Sequence, residues 1–573
     1  MPATSPAAQA RTTVVRPADP TLRPALRLAL VFAAIKLAVH IVATLVVQHL
    51  GYSYFRDEFY YIMCGRRLAW GYVDHGPLIA IQARLAETLF GASLLGIRML
   101  SALAGAVMVF FTGILAWALG GQRSAQTLAM LAVLLAPQFL GTDSYLSMNS
   151  VEPVFWMTCL LALITAQHRL EPTSTTNNAA LSTGADAVER PLYSSASRLP
   201  ETQALRTPWI LFGISAGLGL LNKPSMTFFL IAVLVGLLLT PQRRVLFTRW
   251  TPVAVAILVL IALPNLLWQI HHGWPTLEFL RNGRLGHKNI ELSLLPFLRA
   301  QIDQFNPLTA LLWITGIVCL LRGRSIRNMR WIGLAYLAFF ALMFKLHAKD
   351  YYLAPIYPVL FAAGAIAWQH RFARTEPRRN ALFAFPIYET ALIVTGLLIL
   401  PMALPILPPQ TWLAYTKATH LYGKSGNTET APTGPLPQFY ADRFGWQQEV
   451  DLVNRAYTSL SPEDRARVTI FANNYGEAGA IDFLGARQHL GLPPAISGQN
   501  TYWLWGPGNR GADLVIAVVH DTPEQLHRKY ASVTIIGRMD HPYAMPFEHK
   551  NVYLLRDRRP GAPVNWADEK DYF

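Results

Sequence analysis

Residues 54–78 read YFRDEFYYIMCGRRLAWGYVDHGPL and follow directly on a long apolar run. Asp57 and Glu58 are adjacent, Arg56, Arg66 and Arg67 flank them, and Asp74 and His75 sit in a Gly-rich turn closed by Pro77. Carboxylates beside cations and a titratable imidazole are suited to moving charge. One group takes a proton from an attacking hydroxyl, and the others hold the charge that develops on a leaving group. A plainer use also exists. Asp57 and Glu58 would be favourable in the first turn of a helix, against its positive end. The spacing of aromatic and apolar residues in RDEFYYIMCGRRLAWGY predicts such a helix, lying along a membrane surface. The second acidic–basic pair, so close by, weighs toward chemistry.

The rest of the chain must position these groups. Of 573 residues, 52% are apolar and only 14% charged, with a mean hydropathy of +0.28. Soluble proteins carry about 25% charged residues, so the composition excludes an ordinary soluble enzyme. Ala25–Val47 is long enough to cross a bilayer. The small-residue triplet Ala8-Gln9-Ala10 precedes that apolar core rather than following it, which predicts a retained anchor instead of a cleaved signal. Further apolar runs at 93–118, 125–140, 151–168, 208–221, 225–240, 251–268, 308–321, 331–346, 353–369 and 383–405 predict about eleven transmembrane helices. The three cysteines are scattered and offer neither a disulfide framework nor a metal spacing.

Charge sets the expected orientation. The net charge is +15, yet residues 406–573 hold 16 Lys and Arg against 17 Asp and Glu, so the whole excess lies earlier. It concentrates in short loops at 241–249, 322–330 and 370–380, which with the N-terminus mark the cytoplasmic side. No aromatic–basic nucleic-acid motif is present. The 48–92 and 141–150 loops, the 222–224 turn, the 269–307 loop, the 347–352 turn and residues 406–573 then share the opposite face. Residues 1–24 and the polar 171–207 stretch read as disordered cytoplasmic segments. Residues 25–405 read as one helical membrane domain. Residues 406–573 alternate strand-like runs (ARVTIFANNY, GADLVIAVVH, SVTIIGRM, NVYLLRDR) with helical ones (GEAGAIDFLGARQ, TPEQLHRKYA), predicting a small extracytoplasmic α/β domain.

The loop-one stretch, with SMNSVEPVFW, GLGLLNKPSM, LPNLLWQIHHGWPTLEFLRN, AKDYYLAPIYPVLFAAGA, TGPLPQFYADRFGW, FANNYGEAGAIDF and YWLWGP, resembles bacterial glycosyltransferase family 39 and the dolichyl-phosphate-mannose protein mannosyltransferase-like group. The lipid A aminoarabinose transferases are similar. The resemblance covers most of the chain outside the N-terminal tail and the 171–207 stretch. It implies a GT-C fold: a polytopic helical bundle with its active site in the outer loops, in a bacterial inner membrane. The implied activity is inverting transfer of a monosaccharide from a polyprenyl-phosphate carrier to an envelope glycolipid, glycan or protein. Asp57 takes the position of the family's catalytic base, with Glu58 placing Asp57, the acceptor or a basic neighbour. Asp74 and His75 match an acidic–basic pair whose second member is often a phosphate-binding Lys in relatives; His75 departs from that pattern.

The same outer face offers other candidates for the phosphate and sugar. Lys349 and Tyr351 open KDYYLAP, Arg281, Arg284 and Lys288 lie in FLRNGRLGHK, and Lys223 occupies LLNKPSM. Asn149 and Glu152 lie in SMNSVEP. A lysine at a helix mouth is as often an interfacial anchor, and a basic loop can be simply solvated. Lys36 and His40, one helical turn apart in the first span, are expected to make a satisfied polar contact inside the bundle. No cofactor is required by this reading, although adjacent carboxylates could hold Mg or Mn. Two rival classes are a transporter or flippase for lipid-linked glycans, which would bury its charges along mid-membrane helices, and a non-catalytic binder of such lipids.

Overall fold

A computed structural model describes residues 21–170, 204–324, 326–373, 378–421, 429–561 and 565–573. The expectations for residues 1–20 and 171–203 lie outside the described residues. The first helix begins at Leu22 and another at Arg206, so the polar stretch ends earlier than its composition suggested.

Each of the eleven expected apolar segments contains a helix. Six helices are long and apolar enough to cross a membrane: Leu22–His49, Leu94–Ala118, Met148–Leu170, Trp250–His271, Asp350–Phe372 and Phe385–Ala403. A seventh span results if the bent pair Thr309–Arg322 and Arg327–Lys345 is counted as one. The remaining segments form shorter helices, Arg123–Leu134, Arg206–Asn222 and Ser225–Leu238. Burial separates centre from rim. In its apolar window Asp350–Phe372 is 78% buried, whereas Trp250–His271 and Phe385–Ala403 are each 11% buried and turn apolar side chains outward. In water such exposure would be costly; against lipid tails it is the expected state.

Lys36 and His40, expected to make a satisfied polar contact, fare differently: Lys36 pairs with Asp143, whereas both ring nitrogens of His40 are buried without a hydrogen bond among the described residues. Lys36 Nζ lies 3.0 Å from Asp143 Oδ2, with both side chains buried, and His40 Nε2 stands 3.9 Å from the same oxygen. Removing one partner would leave an uncompensated buried charge, so the pair ties the first span to the segment before Met148.

The C-terminal part holds a mixed five-stranded sheet in the order β2-β1-β3-β5-β4. These strands are β1 Thr469–Ala472, β2 Ala495–Ile496, β3 Leu514–Val519, β4 Tyr530–Arg538 and β5 Asn551–Arg558. The β1–β2 and β1–β3 pairs are parallel, and the β3–β5 and β4–β5 pairs antiparallel. The fully buried run LVIAVV of β3 is central, as a strand covered on both faces requires.

The expected loop-one helix exists as Arg56–Arg66, but it does not lie on a lipid surface. Every residue from Glu58 to Gly65 is buried. The covering element is the helix Tyr475–Arg487 of the C-terminal part, which packs directly on it. Phe59 meets Trp446 and Phe483 at ring-centroid distances of 5.5 and 6.0 Å. One apolar core runs continuously from Tyr52 and Phe59 through Trp446, Ile470 and Ile516. Backbone bonds reinforce the seam: Arg56 N donates to Asp442 O and Ser53 N to Arg443 O, both at 3.1 Å. The outer loop and the α/β part therefore share one core and one end of the bundle.

Candidate active site

Asp57 and Glu58, neighbours in sequence, are separated by the helix they begin. Glu58 points inward and is fully buried. Its Oε2 accepts from Phe55 N at 2.8 Å and from Arg98 Nη2 at 2.7 Å. Its Oε1 accepts from Arg98 Nε at 2.9 Å and from Leu146 N at 2.8 Å. Burial pushes this carboxyl up, but the Arg98 charge and these hydrogen bonds outweigh it, leaving the group below the usual carboxylate range. Glu58 is thus the capping and bracing carboxylate that the plainer sequence reading described. Its oxygens are all engaged, so a divalent ion shared between the adjacent carboxylates is not how this site is arranged.

Asp57 does not share that buried network and keeps 30% of its side chain exposed. Its Oδ1 accepts from the Tyr475 hydroxyl at 2.8 Å, and Arg56 Nε stands 3.8 Å from the same oxygen. Burial raises its pKa; Arg56 and the Tyr475 hydrogen bond oppose that, and the carboxylates Glu429 and Asp74 add to it. A carboxylate tuned upward is a better proton acceptor than one clamped low.

Asp74 is tied to the neighbourhood of Asp57 by Tyr60, whose ring stacks on that of Tyr475. The Tyr60 hydroxyl lies 2.7 Å from Asp74 Oδ1 and 2.6 Å from Thr501 Oγ1, and Thr501 Oγ1 in turn accepts from Val73 N at 3.1 Å. His75 is buried among aromatic rings, stacked on Tyr72 at 4.6 Å and edge-on to Tyr60 and Tyr61. Its Nδ1 meets Gly76 O at 2.8 Å. Burial lowers its pKa against the pull of Asp74, so the imidazole is neutral at pH 7. A neutral, caged imidazole does not supply the positive charge expected of a phosphate-binding group at this position.

Cations reach this neighbourhood from elsewhere. Lys349 Nζ donates to Glu429 Oε1 at 3.1 Å, and Thr430 N donates to Lys288 O at 3.0 Å. Glu429 is held at about 2: burial would raise it, but Lys349, Arg56 and Lys288 together overcome that. Lys288 is itself lowered, by burial first and by the Arg56 and Lys349 charges, against Glu429. Lys349 therefore pairs directly with Glu429, and the charges of Arg56 and Lys288 act on the same carboxylate. Arg281 and Arg284, on the helix Pro275–Leu285, are exposed rather than drawn into this cluster.

A second group forms at the neighbouring loops. Lys223 Nζ donates to Asn149 Oδ1 at 2.7 Å and to Glu152 Oε2 at 3.2 Å, and Ser225 Oγ donates to Glu152. The Lys223 ammonium lies 4.0 Å from the Tyr352 ring centroid and 5.3 Å from that of Tyr351. A small cavity is lined by Asn149, Glu152 and Tyr351. Residues proposed separately from three different loops thus meet at one place.

Sequence reasoning missed Arg98, Glu429, and Tyr475 as a partner of Asp57. Arg98 lies in an apolar run where a lone cation is a signal. Tyr475 and Thr501 carried only a general hint of sugar binding, because nothing local in FANNYGEAG or SGQNTYW says that they meet loop one.

The family described as dolichyl-phosphate-mannose-protein mannosyltransferase is matched by residues 193–268. The lipid A galacturonosyltransferase RgtD of Rhizobium johnstonii (strain DSM 114642 / LMG 32736 / 3841) is 28% identical over 120 residues, 20% of this chain and 25% of that protein. The alignment thus spans a quarter of that relative's length. Among solved structures, ArnT from Cupriavidus metallidurans bound to undecaprenyl phosphate superposes with a TM-score of 0.56 at 15% identity, covering 91% of this chain and 97% of that one. Its apo state superposes with a TM-score of 0.54 at 14% identity, with the same coverage. The shared feature is the whole fold, bundle and C-terminal sheet together.

Proposed function

We propose that this chain, which shares the fold of ArnT from Cupriavidus metallidurans, is a membrane glycosyltransferase of the GT-C type that takes its sugar from a polyprenyl phosphate. One observation carries the reading: Asp57 is a part-exposed carboxylate held by the Tyr475 hydroxyl and facing Arg56, at the end of the bundle where Lys349 pairs with Glu429. The cations answer the phosphate, whose charge grows as its bond to the anomeric carbon breaks. Asp57 answers the acceptor, whose hydroxyl must lose a proton as it attacks. Attack by the acceptor on the face opposite the phosphate gives inversion. The undecaprenyl phosphate held by ArnT and the lipid A acceptor of RgtD support a polyprenyl donor and a glycolipid acceptor in the envelope.

A transporter would need charges along a path through the bilayer. The ion pair of Lys36 and Asp143, with His40 3.9 Å from the same carboxylate oxygen, is instead sealed inside the bundle, each side chain about 1% exposed or less. The test compares envelope lipid extracts by mass spectrometry from cells carrying the wild-type protein, no protein, or Asp57→Asn. A glycan mass increment on an envelope lipid should appear with the wild type alone. An increment that persists with Asp57→Asn would remove Asp57 as base, and its absence in all three would remove the glycolipid acceptor.

A further inference from the structure

The Tyr475 hydroxyl crosses from the C-terminal part to the loop-one carboxylate, a bond between residues 418 positions apart in sequence. Its seat is built rigidly. Asn474 caps the helix Tyr475–Arg487, its Oδ1 accepting from Gly476 N at 2.8 Å and Glu477 N at 3.0 Å, while Glu477 returns the bond to Asn474 N at 3.1 Å. Tyr475 N donates to Gln499 Oε1 at 3.2 Å. The ring stacks on Tyr60 with centroids 4.6 Å apart, and the Arg56 guanidinium lies 5.4 Å from its centroid. Glycine makes this closeness possible: a Cβ at Gly476 would stand 2.3 Å from Arg56 Cγ.

The bond is also one-sided. Oδ1 of Asp57 is taken by Tyr475 and faces Arg56, while Oδ2 has no hydrogen-bond partner among the described residues. Resting on the reading of Asp57 as general base, we propose that Tyr475 is the positioning residue of that base. Its phenol fixes Oδ1 and thereby aims Oδ2 at the acceptor hydroxyl. The C-terminal α/β part is then half of the active site rather than an appended binding module. No group is transferred in this step. The phenol keeps its proton, Oδ2 receives the acceptor's proton, and burial of Tyr475 holds its own pKa well above the usual value, so it remains a donor throughout the working range.

A donor to a carboxylate favours its charged form, so the contact has a signature apart from shape. The charges facing Asp57 from loop one are Arg56, Asp74 and the neutral His75; Glu429 and Asp442 face it from the C-terminal part. The phenols Tyr61 and Tyr145 also face it. None of these is altered by Tyr475→Phe, which keeps the stacked ring and removes only the hydroxyl.

The experiment is infrared titration of the full-length protein in detergent, with the Asp57 carboxyl band assigned by difference from Asp57→Asn. Tyr475→Phe should raise the Asp57 midpoint by about one pH unit, the effect of losing one hydrogen bond to a charged acceptor. Replacing Tyr475 by 3-fluorotyrosine, a stronger donor, should move it the opposite way. In native membranes, with endogenous donor and acceptor, the acid limb of transfer should follow the same shifts. An unmoved Asp57 midpoint in both variants overturns the proposal, whatever the reaction is. If the midpoints move as stated but Asp57→Asn still transfers sugar, the hydrogen bond stands and the base assignment falls.

Discussion

At the scale of single residues, two adjacent carboxylates have opposite duties, and substitutions should separate them. Asp57→Asn keeps size and much of the hydrogen bonding but removes the basic oxygen. Transfer should fall by about 10²–10⁴-fold, the usual contribution of a positioned base, while binding of the proposed polyprenyl-phosphate donor survives. Rate measurements in detergent with binding followed separately check this, and near-normal turnover would sink the assignment. Glu58→Gln should act on stability instead. It leaves Arg98 buried without its counter-charge, and breaking a buried pair costs roughly 3–5 kcal/mol. Reduced yield or a lowered Tm is therefore expected, rather than folded protein with impaired chemistry. Acid should separate the two carboxylates as well. Glu58 and Glu429 are depressed, so the stability they contribute is complete above their unfolded pKa values and lost as pH falls through the folded ones, about 2 for Glu429. Asp57 is raised, so its protonation comes first. Activity should consequently fall on the acid side before the fold does, with transfer and near-UV circular dichroism followed over the same pH series.

At the scale of elements, the joint between Arg56–Arg66 and Tyr475–Arg487 is the part most exposed to a single change. A Cβ at Gly479 would lie 2.9 Å from Phe59 Cβ and 3.1 Å from its backbone carbon. Backbone cannot yield as a side-chain tip can, so Gly479→Val should force the helices apart. The expected result is lost transfer together with faster proteolysis between residues 406 and 475, while the bundle stays inserted. Unchanged proteolysis and activity would show that the seam is softer than its packing indicates. This joint also marks where sequence reasoning stopped. Periodicity identified the loop-one helix, four of the five strands and the helix from Tyr475, because each is a local pattern. It could not tell that the aromatic faces of one helix cover the glycine face of another more than 400 residues away. A buried amphipathic helix and a membrane-surface helix carry the same stripe, and only the partner decides. The two-residue strand Ala495–Ile496 has too little pattern to be read at all.

At the scale of the whole molecule, counting basic loops sorted the chain better than any single motif did. The six segments assigned to one face are those that meet in the structure. Leu146 bonds Glu58, Lys223 joins Asn149 to Tyr352, Gln269 Nε2 lies 3.4 Å from Tyr72 O, and Lys349 pairs with Glu429. Elsewhere, Gln167 Nε2 donates to Asn328 O in the basic 322–330 loop, and Gln122 N donates to Gln369 Oε1. The grouping of these six segments was legible because lipid forbids irregular loops in its interior. The geometry within a face was not legible, since it depends on contacts distant in sequence. The remaining step is absolute orientation, and the two clusters of loops predict it together. Ala69→Cys in loop one and Glu524→Cys in the α/β part are exposed sites at the end holding Asp57, and Arg244→Cys is exposed in the basic 241–249 loop. Cys64, Cys159 and Cys319 are all buried, so removing them should leave a folded background for labelling. On intact spheroplasts an impermeant maleimide should reach Cys at 69 and 524, and Cys at 244 only after permeabilisation. Because loop one and the α/β part share one core, 69 and 524 must label alike. If both label only after permeabilisation, the donor chemistry faces the cytoplasm and the acceptor must be sought there. If the two differ, the joint through Tyr475 does not exist in the membrane, and the active site loses half of its walls.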